Sequence, residues 1–131
     1  MPQKYISGVP YPFSAANGGL ELLFQRGGSI ANPSGITAAV NIVVWRAPIA
    51  CTVTNVRGFR KGGTGATINA QKNGSSTHLS SALSLTSANT WMDGGAVQNT
   101  SYAIGDYLEI MLVTETGSPT EIDIAIDFIV N

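Results

Sequence analysis

The clearest structural signal in the sequence is the run EIDIAIDFIV at residues 121–130. Apolar side chains occupy every second position from Ile122 to Val130, and acidic or small side chains occupy the other positions up to Asp127. Successive side chains of a β-strand point to opposite faces of a sheet, so this alternation indicates a strand with one buried and one wet face. Antiparallel sheets commonly have this arrangement. The run therefore predicts an antiparallel strand over 121–130.

Shorter segments of the same kind precede this strand, and turn residues separate them. The segment at 107–114 is joined to it by Gly-Ser-Pro at 117–119, and the alternation from Val40 to Trp45 stops before Pro48. Further strands are predicted at 51–60, 66–72, 78–85, 90–92 and 96–99. No segment of ordinary helix length has a 3.6-residue period. About eight strands with this spacing predict an all-β protein, an antiparallel jelly-roll β-sandwich.

Two local patterns refine the strand assignments. The Asn-Gly pair at 73–74 follows a candidate strand, and this pair favours the two positive φ angles of a type I′ hairpin turn. Val53 and Val56 are three residues apart, so strict alternation fails between them. One extra residue in a strand produces such a shift, which predicts a β-bulge near Thr54 or Asn55.

The first part of the chain differs from the rest because proline and glycine interrupt its apolar segments. These residues are Pro2, Gly8, Pro10, Pro12, Gly18, Gly19, Gly27, Gly28, Pro33 and Gly35. The pattern predicts an extended N-terminal arm at 1–36, followed by a jelly-roll domain at 37–131. The apolar group at 20–24 fits either a short strand or one helical turn. Because the arm carries several aromatic side chains, we expect it to pack on its own sandwich or on another subunit.

The chain carries little charge for a soluble domain. Only 11% of its 131 residues are charged, against roughly a quarter in ordinary soluble proteins, and the net charge is −1. Either much of the surface contacts other proteins, or this is a neutral, polar β-protein. The seven Lys and Arg residues are dispersed, which argues against nucleic-acid binding. No apolar run has the length of a membrane span or a signal peptide, so we expect synthesis in the cytoplasm and no membrane partner.

No group of residues has the composition of a metal site. His78 is the only histidine, whereas a zinc site needs three or four ligands. Asp93 and Asp106 lie beside glycines, but no EF-hand-like series of calcium ligands accompanies them. Cys51 has no partner for an intramolecular disulfide, and its apolar neighbours indicate a buried, unreactive strand residue. We therefore expect no metal and no cofactor.

The sequence also contains no convincing catalytic group. Asp123 and Asp127 are four residues apart in one strand, hence roughly 13 Å apart along it, which is too far for the paired carboxylates of a glycosidase. Serines surround His78, but no Gly-x-Ser-x-Gly elbow is present. The glycines at 62–65 precede no helix that would complete a phosphate-binding loop. We expect a non-enzymatic protein with no catalytic residues.

Several segments after residue 44 resemble jelly-roll modules of phage virions. They read WRAPIACTVT at 45–54, GGTGAT at 62–67, QKNG at 71–74, NTWMDGG at 89–95, IGDYLEI at 104–110 and EIDIAIDF at 121–128. The resemblance is to head-decoration (cement) proteins and to tail or fibre tips. It covers about the last two-thirds of the chain, and its motifs are strand and turn signatures, so they specify the fold more closely than the role.

This resemblance implies a structural protein of a phage particle. The N-terminal arm favours a capsid decoration (cement) protein on the head surface, which stabilises contacts between major capsid subunits. Such modules are commonly homotrimers, so the implied partners are the major capsid protein and further copies of this chain. The alternative is a tail-fibre or receptor-binding tip that recognises a host surface glycan.

The candidate interface residues are aromatic or large and apolar. They are Tyr5, Tyr11, Phe13, Leu20, Leu22, Phe24, Trp45 and Trp91. Trp45 and Trp91, together with Tyr102 and Tyr107, are open to two interpretations. They form either a sugar-stacking platform or part of the core or of a subunit interface.

Overall fold

The computed structural model describes residues 22–131, which form ten β-strands. These are β1 (Leu23–Ala31), β2 (Val40–Arg46), β3 (Cys51–Lys61), β4 (Gly65–Lys72), β5 (Ser76–Thr77), β6 (Leu83–Ser84), β7 (Met92–Asp93), β8 (Ser101–Tyr102), β9 (Tyr107–Thr116) and β10 (Glu121–Val130). The predicted all-β class is confirmed, and β10 spans the predicted residues. No helix long and apolar enough to span a membrane occurs between residues 22 and 131.

The strands form two antiparallel sheets. Sheet I has the order β1-β10-β3-β7, with β8 also paired to β3, and sheet II has the order β2-β9-β4-β5, with β6 also paired to β4. Strands β1 to β4 alternate between the sheets along the chain, and so do β9 and β10. The two sheets pack face to face, which confirms the predicted antiparallel jelly-roll sandwich.

The core lies between the sheets and follows from the period of two along each strand. On β10 the inward-facing buried side chains are Ile122, Ile124, Ile126 and Phe128, and on β9 they are Leu108, Ile110 and Leu112. At one end the Phe128 ring lies 5.1 Å from Phe24, 4.9 Å from Trp45 and 5.3 Å from Tyr102, measured between centroids. Burying each large apolar side chain stabilises the fold by about 1.5–3 kcal/mol.

The predicted bulge and turn are both present. Asp127 pairs with Asn55 and Phe128 pairs with Val53, so Thr54 is the extra residue on β3. The turn after β4 has positive φ at Asn73 and Gly74, 55° and 76°. The sequence predicts them because each leaves a local pattern, the three-residue spacing of Val53 and Val56 for the bulge and the Asn-Gly pair for the turn.

The predicted alternation of β2 is wrong at Trp45. A register shift against β9 occurs between Val43 and Trp45, so Trp45 pairs with the inward-facing Leu108. The extra residue, Val44, turns Trp45 to the same face as Ile42, whereas simple alternation places it on the opposite face.

The predicted strands at 78–85 and 96–99 are also wrong. Only the short strand β6 forms in the first segment and no strand forms in the second. His78 and Leu79 are both buried, and consecutive buried side chains do not alternate between two faces of a sheet. This part of the chain covers one side of the sandwich, where an added Cβ at Gly58 would meet Leu85 Cδ2 at 2.8 Å.

The region predicted as an arm includes an edge strand of the sandwich. Strand β1 pairs with β10 over its full length, from Leu23 opposite Ile129 to Ala31 opposite Glu121. Residues 22–36 therefore lie in the sandwich, which places them with the domain predicted at 37–131. Residues 1–21 are outside the described part of the chain, and an extended arm there stays a prediction.

Candidate functional site

The first candidate surface lies where the end strands of the two sheets meet. β1 ends sheet I, β2 ends sheet II, and the two strands contact each other across the sandwich. Within residues 22–131, neither strand has a partner on its outer side. We name this side the edge surface. It comprises Leu22, Leu23, Phe24, Arg26, Ile42, Val43 and Trp45.

The edge surface is mainly apolar. Leu23 is 69% exposed, and the Phe24 and Trp45 rings are 5.6 Å apart and half-buried. Arg26 provides the one charge of this surface, and its guanidinium carbon lies 4.9 Å from the Phe24 centroid and 5.7 Å from the Trp45 centroid. Unpaired strand edges are ready to hydrogen-bond with another strand, and exposed apolar clusters commonly mark protein interfaces.

The second candidate surface is the outward face of sheet I, which we name the outer face. Its side chains alternate with those of the core along β1, β10 and β3. The charged members are Arg57, Lys61, Asp93, Glu121, Asp123 and Asp127, and the neutral ones include Gln25, Ser29, Phe59 and Ala125. The proximity of Asp123, which shares a hydrogen bond with Glu121, raises the pKa of the Glu121 carboxyl.

A hydrogen-bonded row crosses the outer face from strand to strand. The Asp127 carboxylate accepts from Gln25 Nε2 at 2.8 Å and from Arg57 Nε at 2.9 Å, and Arg57 Nη1 donates to Asp93 Oδ1 at 2.5 Å. The row joins β1, β10, β3 and β7. Exposed ion pairs add little stability, so the main effect of this row is to hold its polar groups in fixed orientations.

Beside this row lies a shallow depression, which we name the Trp91 groove. Its floor is the backbone of Gly27 and Ala125, and its rim includes Trp91, Ser29 and Asp123. The depression holds about 260 Å³, and an adjoining one of about 380 Å³ shares Gln25 and Trp91 with it. A Cβ at position 27 would lie 1.9 Å from the Ile124 carbonyl oxygen, so the close approach of β1 to β10 at this point requires glycine.

The four predicted interface residues in the described part of the chain lie on two different surfaces. Leu22, Phe24 and Trp45 come together on the edge surface, whereas Trp91 lies on the outer face, 5.4 Å from the Phe59 ring. The remaining four, Tyr5, Tyr11, Phe13 and Leu20, are outside the described residues. Contact of these eight residues with a partner stays a prediction.

The four aromatic residues considered for a sugar-stacking platform do not form one. Tyr102 is 1% exposed and lies in the core beside Phe128, and Trp45 packs with the same cluster. Trp91, by contrast, is 51% exposed. Gln25 and Arg57 on the outer face were not among the residues predicted from sequence. The sequence shows that each of them alternates with inward-facing residues of its own strand. It does not show that β1 and β3 both pair with β10, which brings the two side chains to Asp127.

His78 is a structural residue of the core in this arrangement. It is fully buried, with Nε2 2.8 Å from the Tyr102 hydroxyl and Nδ1 3.2 Å from the Gln98 carbonyl oxygen. No cluster of three or more His, Cys, Asp or Glu residues suited to a metal occurs in the described part of the chain. Cys51 is buried as predicted, and burial raises the pKa of its thiol.

Lowering the pH from 7 to 5.5 is expected to reduce the free energy of unfolding through His78. Burial lowers the pKa of His78, while in the unfolded chain its pKa is about 6.5. The unfolded state then binds more protons, so the contribution of His78 to stability is fully present above about pH 6.5. Below that pH the free energy of unfolding falls by up to about 1.4 kcal/mol for each unit by which the pH is lowered. Urea titrations measure this slope. His78→Gln should flatten it, and an equally steep slope in that variant would contradict the assignment.

Comparison with known proteins shows that the chain is similar to solved structures in its fold. No protein-family model matches the chain, and no curated protein matches it in sequence. A chain of the cyanophage Pam1 capsid asymmetric unit superposes with a TM-score of 0.60 and 17% identity, covering 99% of this chain and 98% of that one.

Two further structures superpose less closely. They are the CBM36-1 domain of a multidomain xylanase from the hindgut metagenome of Trinervitermes trinervoides (TM-score 0.43, 16% identity, 86% of this chain and 98% of that one) and a chain of infectious bursal disease virus Gt strain (TM-score 0.37, 15% identity, 99% of this chain). This chain spans 40% of the bursal disease virus chain. The Pam1 likeness confirms the fold implied by the resemblance to phage modules: the chain is a jelly-roll sandwich of the kind found in that capsid unit.

Proposed function

We propose that this protein is a non-enzymatic structural component of a phage virion, a decoration protein on the head surface. It binds the major capsid protein, assembles with itself as a homotrimer and stabilises contacts between capsid subunits. It is made in the host cytoplasm and acts through buried surface rather than through chemistry. The observation that carries this proposal is the edge surface, an apolar strand edge with one charge.

The fold supports a capsid role because the matched Pam1 capsid chain is covered almost completely in both directions. That chain therefore consists of one sandwich of about the same length as this one. A sandwich of this size can serve as an accessory unit that adds to a shell. The low content of charged residues, 11%, also suits a surface that is covered by other proteins in an assembly.

The edge surface supports self-association. An exposed edge strand with apolar side chains tends to pair with a neighbouring chain unless charges or prolines prevent it. β1 contains no proline, and Arg26, its one charged residue, folds back over Phe24 and Trp45. A stable protein–protein interface removes about 1,600 Å² from water in total, and repetition around a shell multiplies that gain.

Replacing Leu23 with Lys is expected to convert the protein from a trimer of about 41 kDa, three times its mass of 13.6 kDa, into a monomer. Leu23 is 69% exposed, so the change leaves the folded subunit intact but places a charge in the proposed interface. Light scattering after gel filtration gives the mass. We expect occupancy on phage particles lacking the protein, measured by cryo-electron microscopy, to fall at least tenfold.

The matched control is Ile104→Lys, because Ile104 is also 69% exposed but lies in the turn between β8 and β9. This variant should stay trimeric, add density at capsomer junctions and restore heat resistance to the particles as the unmodified protein does. The proposal fails if the unmodified protein is monomeric, if Leu23→Lys binds as well as Ile104→Lys, or if density is confined to the tail.

A further inference from the structure

We propose that the Trp91 groove binds a neutral, hexose-based oligosaccharide. This function is additional to the decoration role, since the groove lies on the outer face and not on the edge surface. It uses one exposed aromatic ring, a floor without side chains and a row of preoriented polar groups.

Trp91 provides the stacking surface. Pyranose rings have an apolar face of C–H groups, and such faces pack well on the flat, electron-rich surface of an indole. Trp91 is 51% exposed, and its ring is supported by Phe59, whose centroid is 5.4 Å away at an interplanar angle of 48°. A supported ring loses little conformational freedom on binding, so its contact area contributes efficiently to affinity.

The floor of the groove lets a sugar ring approach the sheet closely. Gly27 has no side chain and Ala125 has only a methyl group, while the residues beside them, Gln25, Ser29 and Asp123, rise above this level. The two adjoining depressions of about 260 and 380 Å³ are of the order of small-molecule sites, about 300–1,000 Å³. Their shared residues, Gln25 and Trp91, make them one elongated trough suited to more than one sugar unit.

The polar groups match sugar hydroxyls. Hydroxyls donate well to carboxylates and accept from guanidinium and amide N–H groups. Asp127 and Arg57 are already held by the row across the strands, and Asp123 is held by a hydrogen bond from the Ser29 hydroxyl. Within the described part of the chain, Arg57 uses Nε and Nη1 for these contacts, so Nη2 is available to a ligand.

The charge of the outer face selects the class of sugar. This face has two more negative than positive charges. It carries two cations, Arg57 and Lys61, and four carboxylates, those of Asp93, Glu121, Asp123 and Asp127. Such a face repels sialylated, sulfated and uronic acid glycans. The ligand class is therefore a neutral oligosaccharide.

The test is binding of the purified protein to an array of neutral gluco-, manno- and galacto-oligosaccharides, with sialylated and sulfated glycans on the same array. We expect binding to at least one neutral series and to none of the anionic ones. Calorimetry with the best neutral oligosaccharide should show at least a tenfold loss of affinity for Trp91→Ala and less than a threefold loss for Trp91→Phe, which keeps a stacking ring.

Ile104→Ala is the control, since it removes another exposed apolar side chain that does not line the groove. It should bind as the unmodified protein does. Binding to no neutral oligosaccharide, binding to anionic glycans alone, or equal affinity of Trp91→Ala and Ile104→Ala would each overturn the proposal. Because the assay uses the isolated protein with an intact edge surface, its failure is separate from a failure of capsid decoration.

Discussion

Phe128→Ala is expected to lower the free energy of unfolding by about 3–5 kcal/mol, a large part of the stability of a domain of this size. Phe128 is fully buried on β10 and stacks on Phe24 with an interplanar angle of 8°. It also contacts Trp45 and meets Tyr102 edge-on at 85°. Removing the ring leaves a cavity among three aromatic side chains that are anchored on different strands. Chemical denaturation followed by tryptophan fluorescence measures the loss.

Ile129→Ala serves as its control. Ile129 is the next residue on β10 but points to the outer face opposite Leu23, so its truncation leaves the core unchanged. We expect a loss below about 1 kcal/mol for this variant, as for most surface substitutions. If the two variants were destabilised equally, the stacked aromatic cluster would not be the centre of stability at this end of the sandwich.

Arg60→Leu is expected to cost about 3–5 kcal/mol, although it replaces a charge with an apolar side chain. Arg60 is 3% exposed and donates to backbone carbonyls on two separate segments. Its acceptors are the oxygens of Leu85 at 2.8 Å, Gly62 at 2.5 Å, Gly63 at 2.9 Å and Thr86 at 3.2 Å. A leucine cannot donate, so these carbonyls lose their partner in a place that water reaches poorly.

The adjacent cation gives a direct comparison. Lys61 is exposed at the end of β3, and Lys61→Leu should change the unfolding free energy by less than about 0.5 kcal/mol. Hydrogen exchange should show faster exchange of the backbone amides around the β3–β4 turn and residues 85–86 in Arg60→Leu alone. Unchanged amide exchange in these segments would mean that Arg60 does not hold the β3–β4 turn against residues 85–86.

The two candidate surfaces differ in how far sequence could predict them. Alternation on β10 predicts that Asp123 and Asp127 share a face, and the structure confirms it through their partners Ser29 and Gln25 on β1. The region containing β1 carries a glycine pair at 27–28 that reads as an interruption of a strand. Gly27 is needed within the strand because the Ile124 carbonyl fills the space that its Cβ would occupy.

The residues of the Trp91 groove also come from distant parts of the chain. Gln25 and Asp127 are 102 residues apart in sequence, yet they share a hydrogen bond of 2.8 Å. Trp91 is as conspicuous in the sequence as Trp45, but one ring is exposed and the other lies against the core cluster. The register shift in β2 that turns Trp45 inward depends on pairing with β9 and leaves no periodic signal.

Short-range physics therefore accounts for what could be derived from sequence alone: the all-β class, the strand at 121–130, a bulge near Thr54 or Asn55 and the turn at 73–74. Each follows from side-chain alternation or backbone preference over a few neighbouring residues. Strand order, the place of β1 at the edge and the juxtaposition of Trp91 with Gly27 are set only when the two sheets pack. They depend on which distant surfaces bury each other, and a local pattern carries no information about that choice.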